Sequence, residues 1–189
     1  MYTETLRQVT AKSEVVIPEG VQVEVSGPVV KATGPLGTMS KDFSKTRVKI
    51  TKGEAKLEVS TDLKGRRGKA MVGAIVKRLS NMMRGVKVHY IVDMKLVFSH
   101  FPPTIEAQGG VFSVKNFMGE RTPRKVAIPP GVQVEVKGQD ITVTSVDIES
   151  ATQFAGSVET TTKTIGKDQR IYLDGIYVQS KRYEDEIKR

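Results

Sequence analysis

A stretch of thirteen residues occurs twice in the chain and restricts the possible folds more than any other feature. Residues 15–27 and 126–138 are identical at ten of thirteen positions, and the second copy begins 111 residues after the first. Arrays of helical or strand repeats have shorter periods, roughly 20–50 residues. We therefore predict a duplicated domain, so that the chain folds as two tandem and similar units.

Each copy of the repeat has the pattern of a turn followed by a strand. A Pro-x-Gly turn precedes the run Val-Gln-Val-Glu-Val, in which apolar and polar residues alternate. Such alternation is typical of a strand with one buried and one solvated face. Three further runs in the first copy, residues 29–32, 47–50 and 56–59, are strand-like and bounded by turn residues. Short strands with tight turns predict an antiparallel or mixed β-sheet in each unit.

Helical spacing follows the strands in both copies. In the first copy, apolar residues recur every three or four positions from Val72 to Met83. A similar stripe runs from Ile148 to Val158 in the second copy, directly after Asp147, whose side chain can cap a helix. We predict an α+β fold in which each unit packs its sheet against one long α-helix.

The segment that joins the two predicted units is itself strand-like. Residues 86–98 alternate loosely and are long enough to leave one unit and enter the next. We expect residues 1–94 to form the first unit and residues 95–180 the second. Residues 181–189 are highly charged and are expected to form a tail.

The charge of the chain indicates a polyanionic partner. Lys and Arg number 30 against 21 Asp and Glu, which gives a formal charge of +9, and a strong basic excess is typical of nucleic-acid-binding proteins. Without Cys, the chain has no disulfide or thiolate metal site, and the expected location is the cytoplasm. No run of about 18 apolar residues occurs and the first residues have no signal-peptide pattern, so we expect no membrane span.

Residues suited to catalysis are sparse. The two histidines, His89 and His100, have no metal-ligand spacing to another His, Asp or Glu. Ser99 and His100 are adjacent, so in a strand their side chains would point to opposite faces and could not form a nucleophile and base pair. The glycine-containing segment that begins at Gly65 lacks the spacing of a Walker loop. We predict a protein that is not an enzyme and that uses neither a metal nor another cofactor.

One basic cluster lies at the start of the first predicted helix. Its residues are Lys64, Arg66, Arg67 and Lys69, and the basic run continues along the helix with Lys77, Arg78, Arg84 and Lys87. Such a cluster can neutralise the phosphates of a nucleic acid, but it can equally be a solvated helix face. Gly65 and Gly68 favour contact with RNA, because backbone without a Cβ atom can approach a phosphate closely near a helix N-terminus.

A second candidate contact is the loop of residues 115–125, which combines Gly and Pro with basic residues and an aromatic side chain. Phe117 could stack on a base, but we expect it to dock on the sheet instead. The basic residues of this loop are the predicted RNA contacts, namely Arg121, Arg124 and Lys125.

Five ordered motifs give the chain a resemblance to a known family. They are Ile-Pro-Glu-Gly-Val at residues 17–21, Gly-Pro-Leu-Gly at 34–37, Phe-Ser-His-Phe-Pro at 98–102, Asn-Phe-Met-Gly-Glu at 116–120, and Tyr-Leu-Asp-Gly-Ile-Tyr-Val at 172–178. In these motifs, and over nearly its whole length, the chain resembles the universal large-subunit ribosomal protein six family, in its eukaryotic and archaeal branch.

This resemblance implies a function and a set of partners. It implies a structural constituent of the large ribosomal subunit, which binds large-subunit rRNA near the sarcin–ricin loop and the base of the factor-binding stalk and supports translation. Neighbouring large-subunit ribosomal proteins at the stalk base would be partners, and translation factors would bind nearby. The implied location is the ribosome in the cytoplasm, with no membrane association.

The resemblance also implies which residues bind RNA, because the second domain is the family's main rRNA-binding domain. Carried onto this chain, the expected contacts are Lys115, Arg121, Arg124, Lys125, Arg170, Lys181 and Arg182. The cluster at residues 64–69 becomes a secondary contact. The segment after Glu120 departs from the family pattern, since Pro123 lacks the N–H used in strand pairing, and whether a strand pairs there is left open.

Two other classes of protein remain as alternatives. A freestanding RNA-binding regulatory protein would have the same charge, but the aromatic signature of the common RNA-recognition motif is absent. An enzyme would have to use Ser99 and His100 or the Gly65 segment, and neither has the required spacing.

Overall fold

The structure is a computed structural model that describes residues 10–168 and 170–188. The chain divides into two compact units between Lys87 and Val88. Both units contain antiparallel strands and one long helix. The predicted α+β class with two tandem units is confirmed.

Within residues 10–87, the first unit contains six strands and one helix. Its elements are β1 (Thr10–Val16), β2 (Gln22–Ser26), β3 (Val29–Gly34), β4 (Gly37–Asp42), β5 (Val48–Lys52), β6 (Lys56–Lys64) and α1 (Gly65–Gly85). The strands form two antiparallel sheets of order β1-β6-β5 and β2-β3-β4. Helix α1 packs on β1 and β6, and the predicted apolar stripe forms its buried side, which includes Val72, Ile75 and Leu79.

In the part of the second unit that the structure describes, residues 88–168 and 170–188, there are seven strands and one long helix. Its elements are β7 (Tyr90–Val97), β8 (Thr104–Gln108), β9 (Val111–Lys115), β10 (Arg124–Ala127), β11 (Val132–Lys137), β12 (Asp140–Ser145), α2 (Ile148–Thr161) and β13 (Gly175–Tyr183). A four-stranded antiparallel sheet has the order β11-β12-β7-β13, and a three-stranded one has the order β10-β9-β8. Short 3-10 turns occupy Phe117–Gly119 and Glu184–Lys188.

The core of the second unit lies between α2 and the strands. Alternate residues of β7 are buried, as the period of two requires. The helical stripe of α2 supplies Ala151, Phe154, Ala155 and Val158. Phe154 meets Phe112 of β9 edge to face, with ring centroids 5.9 Å apart. Asp147 accepts hydrogen bonds from the backbone N–H groups of Glu149 and Ser150, so it caps α2 as predicted.

The sequence repeat has the same backbone geometry in both units. The turn before each repeated strand contains a glycine of positive φ, 84° at Gly20 and 82° at Gly131. In each turn the N–H of the following valine donates to the proline carbonyl, at 3.3 Å in the first copy and 3.2 Å in the second. Because L-residues with a side chain rarely adopt such φ values, a glycine is required at both positions.

The end of α1 is packed closely by the β3–β4 turn. A Cβ atom at Gly34 would lie 2.5 Å from the carbonyl oxygen of Val86, so no larger residue fits there. The same oxygen accepts a hydrogen bond from the N–H of Leu36 at 3.1 Å. Through Gly34 and Leu36, the Gly-Pro-Leu-Gly motif therefore contacts the Val86 carbonyl, which directly follows the last turn of α1.

The unit boundary and the tail differ from the sequence-based division. Residues 88–94 group with the second unit because β7 pairs with β12 from Tyr90 to Lys95 and with β13 from Tyr90 to Val97. Lys181, Arg182 and Tyr183 pair with residues of β7, so β13 extends three residues into the predicted tail. Neither α1 nor α2, the long helices of the described residues, has the apolar length needed to cross a membrane.

Candidate nucleic-acid interface

One face of the β8–β9–β10 sheet gathers exposed polar and basic side chains. In β9, Phe112 and Val114 are buried, so Ser113 and Lys115 point to the opposite side. Ser113 pairs with Lys125 of β10 and with Glu106 of β8, so these three side chains form one row across the sheet. We call this side the outer face. It contains a shallow groove of about 350 Å³ lined by Glu106, Gln108, Val111, Ser113, Lys115, Pro123 and Lys125.

The charges of the outer face are accessible to a ligand. Lys115 donates to Glu106 at 2.8 Å, with about half of each side chain exposed. An ion pair of this kind contributes only about 0–1 kcal/mol, so a phosphate can compete for the lysine. Lys125 and Arg121 are exposed. The structure thus brings Lys115 and Lys125 into one groove, and Arg121 lies in the loop that leads to β10.

Pro123 does not interrupt the sheet. Strand β10 begins one residue later, and its four residues, Arg124 to Ala127, all pair with β9. The proline therefore lies just before the first paired residue, at a position where strand pairing needs no N–H.

Arg124 is held inside the protein, although the sequence suggested that it binds RNA. Its guanidinium donates to both carboxylate oxygens of Glu120, at 2.8 and 2.5 Å, and to the carbonyls of Thr161 and Lys163. It also lies over the ring of Phe117, 4.4 Å from the centroid. Only 19 % of the side chain is exposed. These contacts leave little of the guanidinium for RNA.

The Arg124 contacts have local causes. Phe117 is 1 % exposed and docks in the core, as expected. The chain reverses around it with positive φ values at Asn116, Met118 and Gly119. Hydrogen bonds from Arg124 lower the pKa of Glu120 against the opposing effect of its partial burial. The Thr161 carbonyl ends α2, where a cation is also favoured by the helix dipole.

The remaining predicted contacts of the second unit have different surroundings. Arg170 is 90 % exposed and pairs with Asp168 at 2.9 Å. Lys181 is exposed on β13. Arg182 donates to Asp93 and to Ser180, so its guanidinium is held against β7. Of these three, Arg170 and Lys181 are the accessible cations.

The basic cluster of the first unit surrounds the start of α1. Lys64, Arg66, Arg67 and Lys69 are all exposed. The first turn of the helix contains no acidic residue, and the N-cap position, Lys64, makes no side-chain cap. Cations at the positive end of a helix dipole are unfavourable, and an anion bound there would relieve the repulsion.

Only one of the two glycines beside this cluster is open to a ligand. A Cβ atom at Gly68 would lie 2.1 Å from the carbonyl oxygen of Leu63, so this glycine permits close packing within the protein. The expectation that Gly68 admits a phosphate is therefore wrong. Gly65 has φ +69° and open space around its Cβ position.

Sequence reasoning missed a buried carboxylate in the second unit. Asp174 is 2 % exposed and accepts hydrogen bonds from the N–H groups of Ser99 and His100 and from Nδ1 of His100. Burial acts to raise the pKa of Asp174, but these hydrogen bonds outweigh it and the pKa is lowered. His100 also stacks on Tyr172, with centroids 4.8 Å apart. In the sequence, the only sign of this cluster was that Ser99, His100 and Asp174 lie in two of the family motifs.

The arrangement around His100 matches a structural role. Ser99 donates its backbone N–H to the Asp174 carboxylate. The Ser99 hydroxyl is not one of the groups that donate to this carboxylate. Within residues 10–168 and 170–188, no group of three His, Asp or Glu side chains is arranged to hold a metal ion.

A family model and individual relatives of known name both match the chain, and they agree with each other. A family model described as "Ribosomal protein L6" matches residues 17–89 and 101–175. Three similar proteins, each named large ribosomal subunit protein uL6, come from Staphylothermus marinus, Aeropyrum pernix and Ignicoccus hospitalis. Their identities to the chain are 41 %, 38 % and 38 %. The alignments cover 87 %, 96 % and 87 % of this chain and 91 %, 98 % and 91 % of the respective relatives.

Proposed function

The chain belongs to the ribosomal protein L6 family, and from this premise we propose that it is a structural constituent of the large ribosomal subunit that binds rRNA. The family is a structural ribosomal component without enzymatic activity. The observation that carries the proposal for this chain is the outer face of the second unit, with Lys115 and Lys125 in one groove.

The proposed mechanism is electrostatic docking. Lys115, Lys125 and Arg121 contact phosphates, and each neutralised phosphate releases counterions. Contacts to phosphates and sugars fix position and orientation without reading base sequence. The ion pair between Lys115 and Glu106 holds the lysine over the groove until a phosphate replaces the carboxylate.

Further exposed cations are additional proposed contacts with RNA. Arg170 and Lys181 supply accessible charge in the second unit. The cluster at residues 64–69 is a secondary contact in the first unit, supported by its exposed cations and by the helix start without an acidic residue. Arg124 and Arg182 are left out of the proposed contacts, because only 19 % and 32 % of their side chains are exposed.

The position on the ribosome follows from the family resemblance. We place the binding site near the sarcin–ricin loop and the base of the factor-binding stalk. Neighbouring large-subunit proteins at the stalk base are then partners, translation factors bind nearby, and the chain is located in cytoplasmic ribosomes. The name shared by the relatives, large ribosomal subunit protein uL6, supports this assignment at the level of the subunit.

Gradient sedimentation separates this function from the alternative, a freestanding RNA-binding regulatory protein. A lysate is washed with high salt, depleted of Mg²⁺ to separate the subunits, and sedimented through sucrose. We expect the chain to follow the large subunit and to be depleted from the small-subunit and soluble fractions. Recovery mainly in the soluble fractions would favour the regulatory protein.

A further inference from the structure

One aromatic side chain of the second unit is exposed in a rigid setting. Phe101 is 49 % exposed. One side of its ring packs on Gly119, where an added Cβ atom would lie 3.6–3.7 Å from three ring carbons. The ring therefore lies beside the turn that contains Gly119, whose φ is +79°. The rest of the ring faces solvent.

The backbone on both sides of Phe101 is fixed by hydrogen bonds. On one side, the buried Asp174 carboxylate accepts from Ser99 N–H at 2.9 Å and from His100 N–H at 3.4 Å. On the other side, Asn116 donates its side-chain amide to the carbonyl of Pro102 at 3.2 Å. Phe101 lies between these two anchors, so its ring is held in position before any ligand arrives.

The surroundings of this ring suit a nucleic acid. His100, the next residue, stacks on Tyr172 with an interplanar angle of 25°. The ammonium of Lys167 lies 4.5 Å from the centroid of the Tyr172 ring. Proteins use exposed aromatic rings to bind single-stranded RNA, since every base can stack on an aromatic side chain, and Lys167 adds one cation beside Tyr172.

We propose that the exposed side of the Phe101 ring stacks on an unpaired base of the large-subunit rRNA. Asp174, through Ser99 and His100, acts as the positioning residue for this contact. The inference rests on the proposed function, and it adds a base contact that the phosphate contacts of the outer face do not provide.

Filter binding of the purified chain to deproteinised large-subunit rRNA tests the stacking contact. Phe101→Leu keeps the apolar contact with Gly119 but removes the aromatic ring, and we expect roughly tenfold weaker binding. The slope of log affinity against log salt should stay as in the wild type, because no charge is removed. Phe101→Tyr keeps the ring and should bind like the wild type.

Two controls make the outcome specific. Tyr177→Leu removes another aromatic side chain that is 40 % exposed, and it should leave affinity unchanged. Thermal melting of each variant monitors folding. If the wild type binds the rRNA and Phe101→Leu binds equally well, the stacking proposal is overturned and the proposed function stands. If the wild type does not bind the rRNA, the result contradicts the proposed function, and the stacking contact that rests on it is overturned as well.

Ultraviolet cross-linking of native large subunits provides a second test that needs no variant. After nuclease and trypsin digestion, we expect a nucleotide adduct on the peptide of residues 96–115, located at Phe101 by fragmentation. Adducts on other peptides of this chain, with none at Phe101, would overturn the stacking contact. A Phe101 cross-link to another protein would assign the ring to a protein partner instead and would also overturn it.

Discussion

Arg124 and Lys125 are consecutive in sequence, but their side chains leave β10 on opposite faces of the sheet. Lys125 lies on the outer face beside Ser113, its partner in β9. Arg124 lies on the other side, over Phe117 and paired with Glu120. The pleat of one strand therefore divides two adjacent cations into one that can bind RNA and one that holds the domain together.

The structural role of Arg124 predicts a loss of stability on its replacement. Arg124→Ala removes a carboxylate partner and leaves the carbonyls of Thr161 and Lys163 without their donor. We expect the free energy of unfolding to fall by about 2–4 kcal/mol. Arg124→Lys should also destabilise, because an ammonium cannot form the bidentate pair. Urea unfolding measures both changes.

Lys125→Ala is the matched control for Arg124. The lysine side chain is exposed, so its removal should change the free energy of unfolding by no more than about 0.5 kcal/mol. Equal destabilisation by the two alanine variants would contradict the division of roles between the two faces.

Two glycines of α1 should respond to alanine in opposite directions. At Gly68 the new Cβ would lie 2.1 Å from the backbone oxygen of Leu63, so the helix start must shift. We expect Gly68→Ala to cost about 1–3 kcal/mol, as overpacking does. Gly73 has open space around its Cβ position, and Gly73→Ala should stabilise the protein by about 0.5–1 kcal/mol. Thermal or urea unfolding of both variants would detect the difference in sign.

The buried Asp174 carboxylate predicts a particular pH dependence. Its pKa in the folded protein lies below its unfolded value of about 3.9, so its contribution to stability is present above that pH and is lost as pH falls through the folded pKa. Asp174→Asn should lower the free energy of unfolding by about 2 kcal/mol at pH 7.

The difference between wild type and Asp174→Asn should shrink as the pH falls below about 4. Urea unfolding at a series of pH values measures it. A difference that does not change between pH 7 and pH 3 would show that the ionised carboxylate is not the source of the stability.

The outer face predicts how RNA affinity depends on salt. Replacing both Lys115 and Lys125 with Ala removes two phosphate contacts, so the slope of log affinity against log salt should decrease in magnitude by about 1.4–1.8. Replacing Lys49 and Lys52, which are exposed in β5, should leave the slope unchanged. Filter binding to large-subunit rRNA between about 50 and 200 mM salt covers the useful range. An equal decrease in both double variants would indicate non-specific attraction.

The sequence predicts the fold well where the determinants are local. The Val-Gln-Val-Glu-Val alternation forms β2 and β11, and the spacing of apolar residues predicts both long helices. The positive φ angles of Gly20 and Gly131 explain why both copies of the turn keep a glycine. These features depend on neighbours within a few residues, so one sequence is enough to detect them.

Features that depend on pairing between distant segments could not be predicted in the same way. Residues 88–94 join the second unit only because β12 and β13, which come later in the chain, pair with β7. The face on which Arg124 lies depends on where β10 begins, and a shift of one residue would exchange Arg124 and Lys125. Asp174 and His100 are 74 positions apart, and no local pattern links them.

The candidate site is accordingly predicted in part. Lys115, Arg121 and Lys125 are exposed on or beside the outer face, and for them the sequence-based prediction stays in place. Arg124 and Arg182 look equivalent to those residues in sequence, but both hold carboxylates in the folded unit. Charge and position in a motif do not indicate which cation stays exposed in the folded protein, and only 19 % of the Arg124 side chain and 32 % of the Arg182 side chain are exposed.

Incorporation of charge-reversed variants into ribosomes tests the central claim most directly. One variant carries Lys115→Glu, Arg121→Glu and Lys125→Glu, and its control carries Lys31→Glu, Lys49→Glu and Lys52→Glu at exposed positions of the first unit. Both change the net charge equally, and circular dichroism checks that both fold. The amount of each tagged chain in salt-washed large subunits is then measured against the wild type. We predict that the outer-face variant falls by roughly tenfold or more while the control stays near the wild-type level; equal incorporation of the two would contradict RNA binding through the outer face.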